Sequence, residues 1–325
     1  MIGWNESSDY TLGEKKKKVV AIIGPTAVGK TKLSVELAKI INAEIISGDS
    51  MQIYRGMDIG TAKIKKEEMA GIPHHLLNIK NPDESFSVAE FQSSVRKLIH
   101  EITDRGKIPM IVGGTGLYIQ SVIYDYQFTQ TPSDHAYRAK LERVVNESGI
   151  DPLYKQLQRI DPQSAERIHP NNIRRVIRAL EVYYCTGKAF SDYQIANENK
   201  LIYDVALVGL TMERNLLYKR INKRVDLMFA EGLIKEVKSL YEKGIKDCQS
   251  IQAIGYKELY DYFEGKIPLD ESVQQLKQNS RRYAKRQFTW FRNKMDVKWY
   301  DMTDLTLFQE KLAEIYTYVA GKLKI

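Results

Sequence analysis

Gly24-Pro25-Thr26-Ala27-Val28-Gly29-Lys30-Thr31 satisfies the phosphate-binding loop pattern G-x-x-x-x-G-K-[ST] at every fixed position. Its flanks agree. Val19 to Ile23 form an unbroken apolar run before the loop, and Leu33, Leu37, Ile40 and Ile41 recur at helical spacing after it. Glycines let such a loop curl so that several N–H groups point at one anion, and the following helix adds the positive end of its dipole. Lys30 supplies a mobile cation, and Thr31 a hydroxyl suited to Mg²⁺. The loop alone does not say whose phosphates it holds.

Outward from the loop, the apolar runs centred on Ile45, on Met110 and on Leu207 read as further buried strands. Together they predict an α/β fold with a P-loop NTPase-like parallel sheet. In such a sheet, ligands gather at the C-terminal edge. Ala43 to Ser47 would deliver Asp49 and Ser50 to that edge. Ile108 to Val112 runs instead into Gly113-Gly114-Thr115-Gly116, where the usual phosphate-loop hydrolases carry an acid that helps hold Mg²⁺. That absence argues against ATP hydrolysis and leaves Asp49 as the best-placed carboxylate. His74 and His75 are neighbours in a loop-to-strand passage and would face opposite ways, which does not suit a metal pair.

The chain is 325 residues long, enough for two compact units. Residues 1–18 are a polar lead-in that ends in a lysine run. A phosphate-loop core is expected over 19–124 plus 203–325, with C-terminal helices. Between its two parts, residues 125–202 read as a helical insertion, with helices expected over 134–147, 152–160, 163–168 and 172–186. In the core, helices are expected over about 88–105 and 213–231. The two cysteines, Cys185 and Cys248, are too few for a disulfide framework. No apolar stretch reaches membrane-spanning length, and residues 1–14 lack the apolar centre of a signal peptide. A cytoplasmic protein with no membrane partner is expected.

The formal charge of +8 favours a polyanionic partner, and its location is the informative part. Arg174, Arg175 and Arg178 cluster in the insertion, which fits either a solvated face or an anion site. Arg220 and Arg224 lie one turn apart and could point at the phosphates. Asn279 to Gln287 pairs Arg281 with Lys285 and Arg282 with Arg286 at i, i+4, a face suited to a phosphodiester backbone. The adjacent Phe288, Trp290 and Phe291 read as core anchors.

Seven stretches, in order and spanning nearly the whole chain, together resemble the tRNA dimethylallyltransferases. They are GPTAVGKT (24–31), GDSMQIYRGMDIGTAK (48–63), GIPHHL (71–76), GGTGLY (113–118), HPNNIRRVIRALE (169–181), QAIGYKE (252–258) and YAKRQFTWFR (283–292). The resemblance implies transfer of a dimethylallyl group from dimethylallyl diphosphate to the exocyclic amine of the adenine 3′ to the anticodon, by a monomer acting on a tRNA anticodon stem-loop. Gly24, Pro25, Thr26, Ala27, Val28, Gly29, Lys30 and Thr31 would then hold the donor diphosphate, with Mg²⁺ near Thr31. Asp49 would be the general base, Thr115 would contact the adenine or the donor, and Arg220 or Arg224 would hold the departing diphosphate. Contacts to tRNA would fall on Asp49, Ser50, Met51, Gln52, Thr115, Arg138, Arg174, Arg175, Val176, Ile177, Arg178, Gln252, Ala253, Ile254, Gly255, Tyr256 and Lys257. The alternatives are a phosphate-loop small-molecule kinase and a prenyltransferase of free adenine nucleotides.

Overall fold

The structure is a computed structural model that describes residues 16–126, 128, 134–193 and 200–325. The first fifteen residues of the polar lead-in lie outside it. Six parallel strands form one sheet: β1 (Lys18–Ile23), β2 (Ala43–Ser47), β3 (His74–His75), β4 (Ile108–Gly113), β5 (Asp204–Thr211) and β6 (Lys298–Asp301). Their order is β3-β2-β4-β1-β5-β6. This is the P-loop NTPase-like α/β architecture. The helices are α1 (Lys30–Ile41), α2 (Val88–Asp104), α3 (Gly116–Ile123), α4 (His135–Ser148), α5 (Asp151–Ile160), α6 (Pro162–Arg167) and α7 (Ile173–Thr186), followed by α8 (Arg214–Ala230), α9 (Leu233–Glu242), α10 (Tyr256–Phe263), α11 (Leu269–Lys294) and α12 (Phe308–Leu323).

Buried parallel strands must be apolar on both faces, and β1 is. Val20 and Ile22 join Leu33 and Leu37 of α1 and Ile315 and Val319 of α12 in one core. Val19, Ala21 and Ile23 alternate to the opposite face, the side on which α2 and α3 cover the sheet. Pro109 sits inside a central strand because it precedes the first residue of β4 that pairs with β1, Met110, so its missing N–H breaks no ladder bond on that side. Ser87 caps α2 and exchanges bonds with Glu90 in a capping box.

Contacts divide the chain into two compact units. One comprises 1–124 with 201–325, and the other is Asp125–Lys200. The smaller unit packs α4 to α7 around Leu141, Leu157, Val176, Ile177 and Leu180. Its buried carboxylate Glu181 accepts from Arg138 at 2.8 Å and from Arg178 at 2.7 Å. Sequence reading did not anticipate strand β6. It is only four residues long, and it is held at the sheet edge by Trp299 packing on the bare Cα of Gly209.

Gly113 explains the missing acid. A Cβ there would lie 2.3 Å from the Gly48 carbonyl oxygen, so the end of β4 touches the backbone that leads to Asp49. Gly113→Ala is expected to cost about 2–3 kcal/mol, read as a fall in the denaturation midpoint. An unshifted midpoint would contradict this close approach.

Candidate active site

The strand ends place the phosphate loop, Asp49 and Gly114 along one edge of the sheet, as a parallel sheet requires. Gly24, Ala27 and Gly29 have positive φ, which curls the loop at the start of α1. Arg220 Nε donates to the Ala27 carbonyl at 2.9 Å, and Arg224 donates to Thr26 Oγ1 at 3.3 Å. Lys30 Nζ donates to the carbonyls of Gly24 and Pro25. Arg220 and Arg224 of α8 therefore both flank the loop, and both line its cavity.

That cavity encloses about 480 Å³. Its lining carries four cations, Lys30, Arg220, Lys223 and Arg224, against one carboxylate, Asp49. Ile45, Ile64, Leu77 and Val112 give it an apolar wall. Burial, with Arg224 nearby, pulls the Lys30 ammonium down to about 7, although Asp49 opposes the shift. Burial also lowers Arg224, with Asp49 again opposing and Arg220 adding to the shift. The site is thus short of negative charge, and an anion supplied from outside would relieve it.

A second cavity of about 300 Å³ adjoins the first. Thr26, Asp49, Thr61, Arg224 and Tyr283 line both, so Asp49 stands where they meet. Asp49 Oδ1 accepts from the Met51 N–H at 2.8 Å, which fixes the carboxylate and leaves Oδ2 for another partner. Ser50, Met51, Gln252, Ala253, Ile254 and Lys257 line this second cavity, with Arg286 at its rim.

Several expected residues are placed differently. Thr115 lines neither cavity. Its Oγ1 accepts from the Ser50 N–H and it hydrogen-bonds Tyr283, so it braces the site from behind. Gln52 lies on the phosphate side, its amide held between Ser47 Oγ and the Thr61 carbonyl. Gly24, Pro25 and Val28 do not line the cavity. Val28 is buried in the core, and Gly24 is needed because a Cβ would meet the Leu210 carbonyl at 2.6 Å. The side chains of Val176 and Ile177 are core in the smaller unit. Tyr256 is fully buried, with its hydroxyl on Glu236. Gly255 turns at φ 100°, its N–H donating to Glu258. Arg174 and Arg175 are exposed in the smaller unit, whereas Arg138 and Arg178 share Glu181.

Sequence reading missed Gln287 and Tyr283. The Gln287 amide accepts from the Thr26 N–H at 2.9 Å and donates to the Gly114 carbonyl at 3.0 Å, so α11 clamps the phosphate loop to the end of β4. Of the basic run's aromatics, Phe291 is core, Phe288 packs on Trp299, and Trp290 remains partly exposed over Gly116.

The two neighbouring histidines do face apart. His75 bonds the buried Glu44, and His74 lines the first cavity. Among the described residues no group of three or more His, Cys, Asp or Glu could hold a metal. The Thr31 hydroxyl lines the first cavity and fits Mg²⁺, which commonly takes one or two protein ligands and completes its shell with substrate phosphates and water. No helix among the described residues is long and apolar enough to cross a membrane.

A phosphate loop on a parallel sheet, with a cation-rich cavity that meets a second cavity at Asp49, defines a phosphate-loop α/β protein. The model of the IPP transferase family matches residues 52–294, and the chain belongs to that family. Among its relatives, the tRNA dimethylallyltransferase of Geobacillus thermodenitrificans is 63% identical over 95% of this chain and 98% of its own. That of Anoxybacillus flavithermus is 66% identical over 94% and 97%. The crystal structure of the full-length tRNA isopentenylpyrophosphate transferase from Bacillus halodurans is similar with a TM-score of 0.73 at 57% identity, covering 95% of this chain and 97% of that one. A eukaryotic dimethylallyltransferase acting on tRNA is similar with a TM-score of 0.78 at 34% identity, over 92% and 77%.

Proposed function

We infer that the protein transfers a dimethylallyl group from dimethylallyl diphosphate to the exocyclic N6 amine of the adenine 3′ to the anticodon in tRNA, releasing diphosphate. The observation that carries this reading is Asp49 at the junction of a cation-rich, partly apolar cavity and a second cavity lined by Ser50, Met51 and Lys257. The relatives' names agree with it.

In this reading the donor lies in the first cavity. Its diphosphate meets Lys30, Arg220, Arg224 and the loop N–H groups, and its five-carbon group meets the apolar wall. Thr31 would hold Mg²⁺, which when bound would neutralise part of the diphosphate charge. The adenine enters the second cavity from a loop, where unstacking is least costly. Its amine is a poor nucleophile because the lone pair is delocalised into the ring. Asp49 orients the amine and accepts its proton as the N6–C1 bond forms and the C1–O bond to diphosphate breaks. The leaving group gathers negative charge among cations already in place.

The exposed cations Arg282, Lys285 and Arg286 of α11 suit the phosphodiester backbone. Arg174 and Arg175 are further candidates for it. A kinase reading is weakened at Gly113 and Gly114, where backbone contact and the Gln287 amide fill the space an acid would need.

Transfer of isotope from labelled donor into unmodified tRNA, and none to free adenine nucleotides, is the expected result. ATP-dependent phosphorylation of a small molecule without such transfer would overturn it. The low Lys30 value gives a pH signature. Bound diphosphate must raise that value, so above pH 7 donor binding takes up a proton and weakens as pH rises. Net proton uptake at pH 8 is the expected reading from titration calorimetry in two buffers of different ionisation enthalpy. Binding heats independent of buffer would contradict it.

A further inference from the structure

Glu236, in the first turn of α9, lines neither cavity, yet four donors converge on its carboxylate. The N–H groups of Asp58 and Ile59 donate to Oε2 at 2.9 and 2.8 Å, and the Gly60 N–H and the Tyr256 hydroxyl donate to Oε1 at 3.0 and 2.6 Å. Only an ionised carboxylate accepts at all of these points, because an amide would turn an NH2 group against two of the donors. The fit is close. A Cβ on Gly60 would lie 2.5 Å from the Tyr256 ring, so the ring rests on the bare backbone of this turn.

The turn that Glu236 holds forms part of the lining that the two cavities share. Thr61 lines both. Its carbonyl also accepts from Gln52 Nε2 at 3.2 Å, and Gln52 in turn accepts from Ser47 Oγ at 3.1 Å. We propose that Glu236 is a positioning residue for transfer: with Tyr256 it fixes the Asp58–Lys63 turn, and through Thr61 and Gln52 it sets the wall facing Asp49. The proposal rests on the prenyl-transfer reading. It also gives Tyr256 a role as a brace for this wall, where resemblance alone would make it an RNA contact.

Two observations separate this role from general support of the fold. The turn has a second, independent anchor in Lys63, whose ammonium donates to Tyr54 O, Asp58 Oδ1 and Asn78 Oδ1, so loss of Glu236 leaves the turn attached but less well placed. The diphosphate end is organised separately, by Arg220, Arg224 and Gln287 on the phosphate loop. Removing Glu236 should therefore affect the rate of transfer more than the affinity for the donor.

The test uses the full chain with tRNA and labelled dimethylallyl diphosphate, measuring single-turnover rate, donor dissociation constant and melting temperature for wild type, Glu236→Gln and Tyr256→Phe. Glu236→Gln is expected to lower the rate by about 10- to 100-fold, the scale of a misplacement near 1 Å, with donor affinity within about threefold of wild type. Tyr256→Phe keeps three of the four donors and should lose only about threefold in rate. A wild-type rate in Glu236→Gln would overturn the proposal, and so would donor affinity falling in step with rate. Should Glu236→Gln melt too low to assay, Tyr256→Phe decides: reduced rate at unchanged donor affinity supports the brace, and an unchanged rate overturns it. Wild type serves as the separate check, because absence of transfer there would refute the underlying reading instead.

Discussion

Asp49→Ala is expected to lower the transfer rate by about 10²- to 10⁴-fold while leaving donor binding intact or slightly tighter. The rate falls because Asp49 is the carboxylate lining both cavities, from which a base could reach an amine in the second while the donor lies in the first. The Met51 N–H on Oδ1 fixes its direction. Donor binding survives because Asp49 is a negative charge beside Lys30 and Arg224, and its removal leaves those cations freer to meet diphosphate. Asp49→Asn keeps the shape and loses the base, so it should fall with Asp49→Ala. Rapid-quench kinetics measure this directly, and a variant with wild-type rate would remove Asp49 from the base role.

Lys30→Met should lower the second-order rate constant for the donor by about 10²- to 10³-fold, equivalent to about 3–4 kcal/mol of lost charge stabilisation in the transition state. Methionine approximates the length of the lysine stem, so packing changes little while the cation is lost. The remaining cations Arg220, Lys223 and Arg224 still bind diphosphate, so the loss should appear more in turnover than in donor affinity. The same variant should abolish proton uptake on donor binding. Uptake persisting in Lys30→Met would assign the titrating group elsewhere.

The sheet was legible because β1, β4 and β5 are apolar runs of strand length with breakers at their ends, and the phosphate loop sets their direction. Helix α2 was legible through its apolar stripe of Phe91, Val95, Ile99 and Ile102. Asp49 was readable because it follows a buried strand in a sheet whose C-terminal edge collects ligands.

The remainder depended on contacts far apart in sequence. Nothing in a basic, aromatic run indicates that Gln287 reaches back to Thr26, 261 positions away. Periodicity could not reveal Glu236 as the acceptor for a turn some 177 residues upstream. Short motifs also mix roles. In the stretch around Arg174 to Arg178, Arg174 and Arg175 are exposed, Arg178 pairs with the buried Glu181 and Val176 and Ile177 fill the core, and in Gln252 to Lys257 the buried Tyr256 lies among residues that line a cavity. Strand β6 is too short and too polar at its ends to be distinguished from a loop.

The most direct test offers the protein two anticodon stem-loops differing only in the adenine 3′ to the anticodon, one retaining it and one carrying guanine there, with dimethylallyl diphosphate and Mg²⁺. Digestion and mass analysis of the nucleosides should find one dimethylallyl unit on adenosine from the first and no modified nucleoside from the second. Equal modification of both, or of neither by a folded protein that binds the donor, would contradict the account.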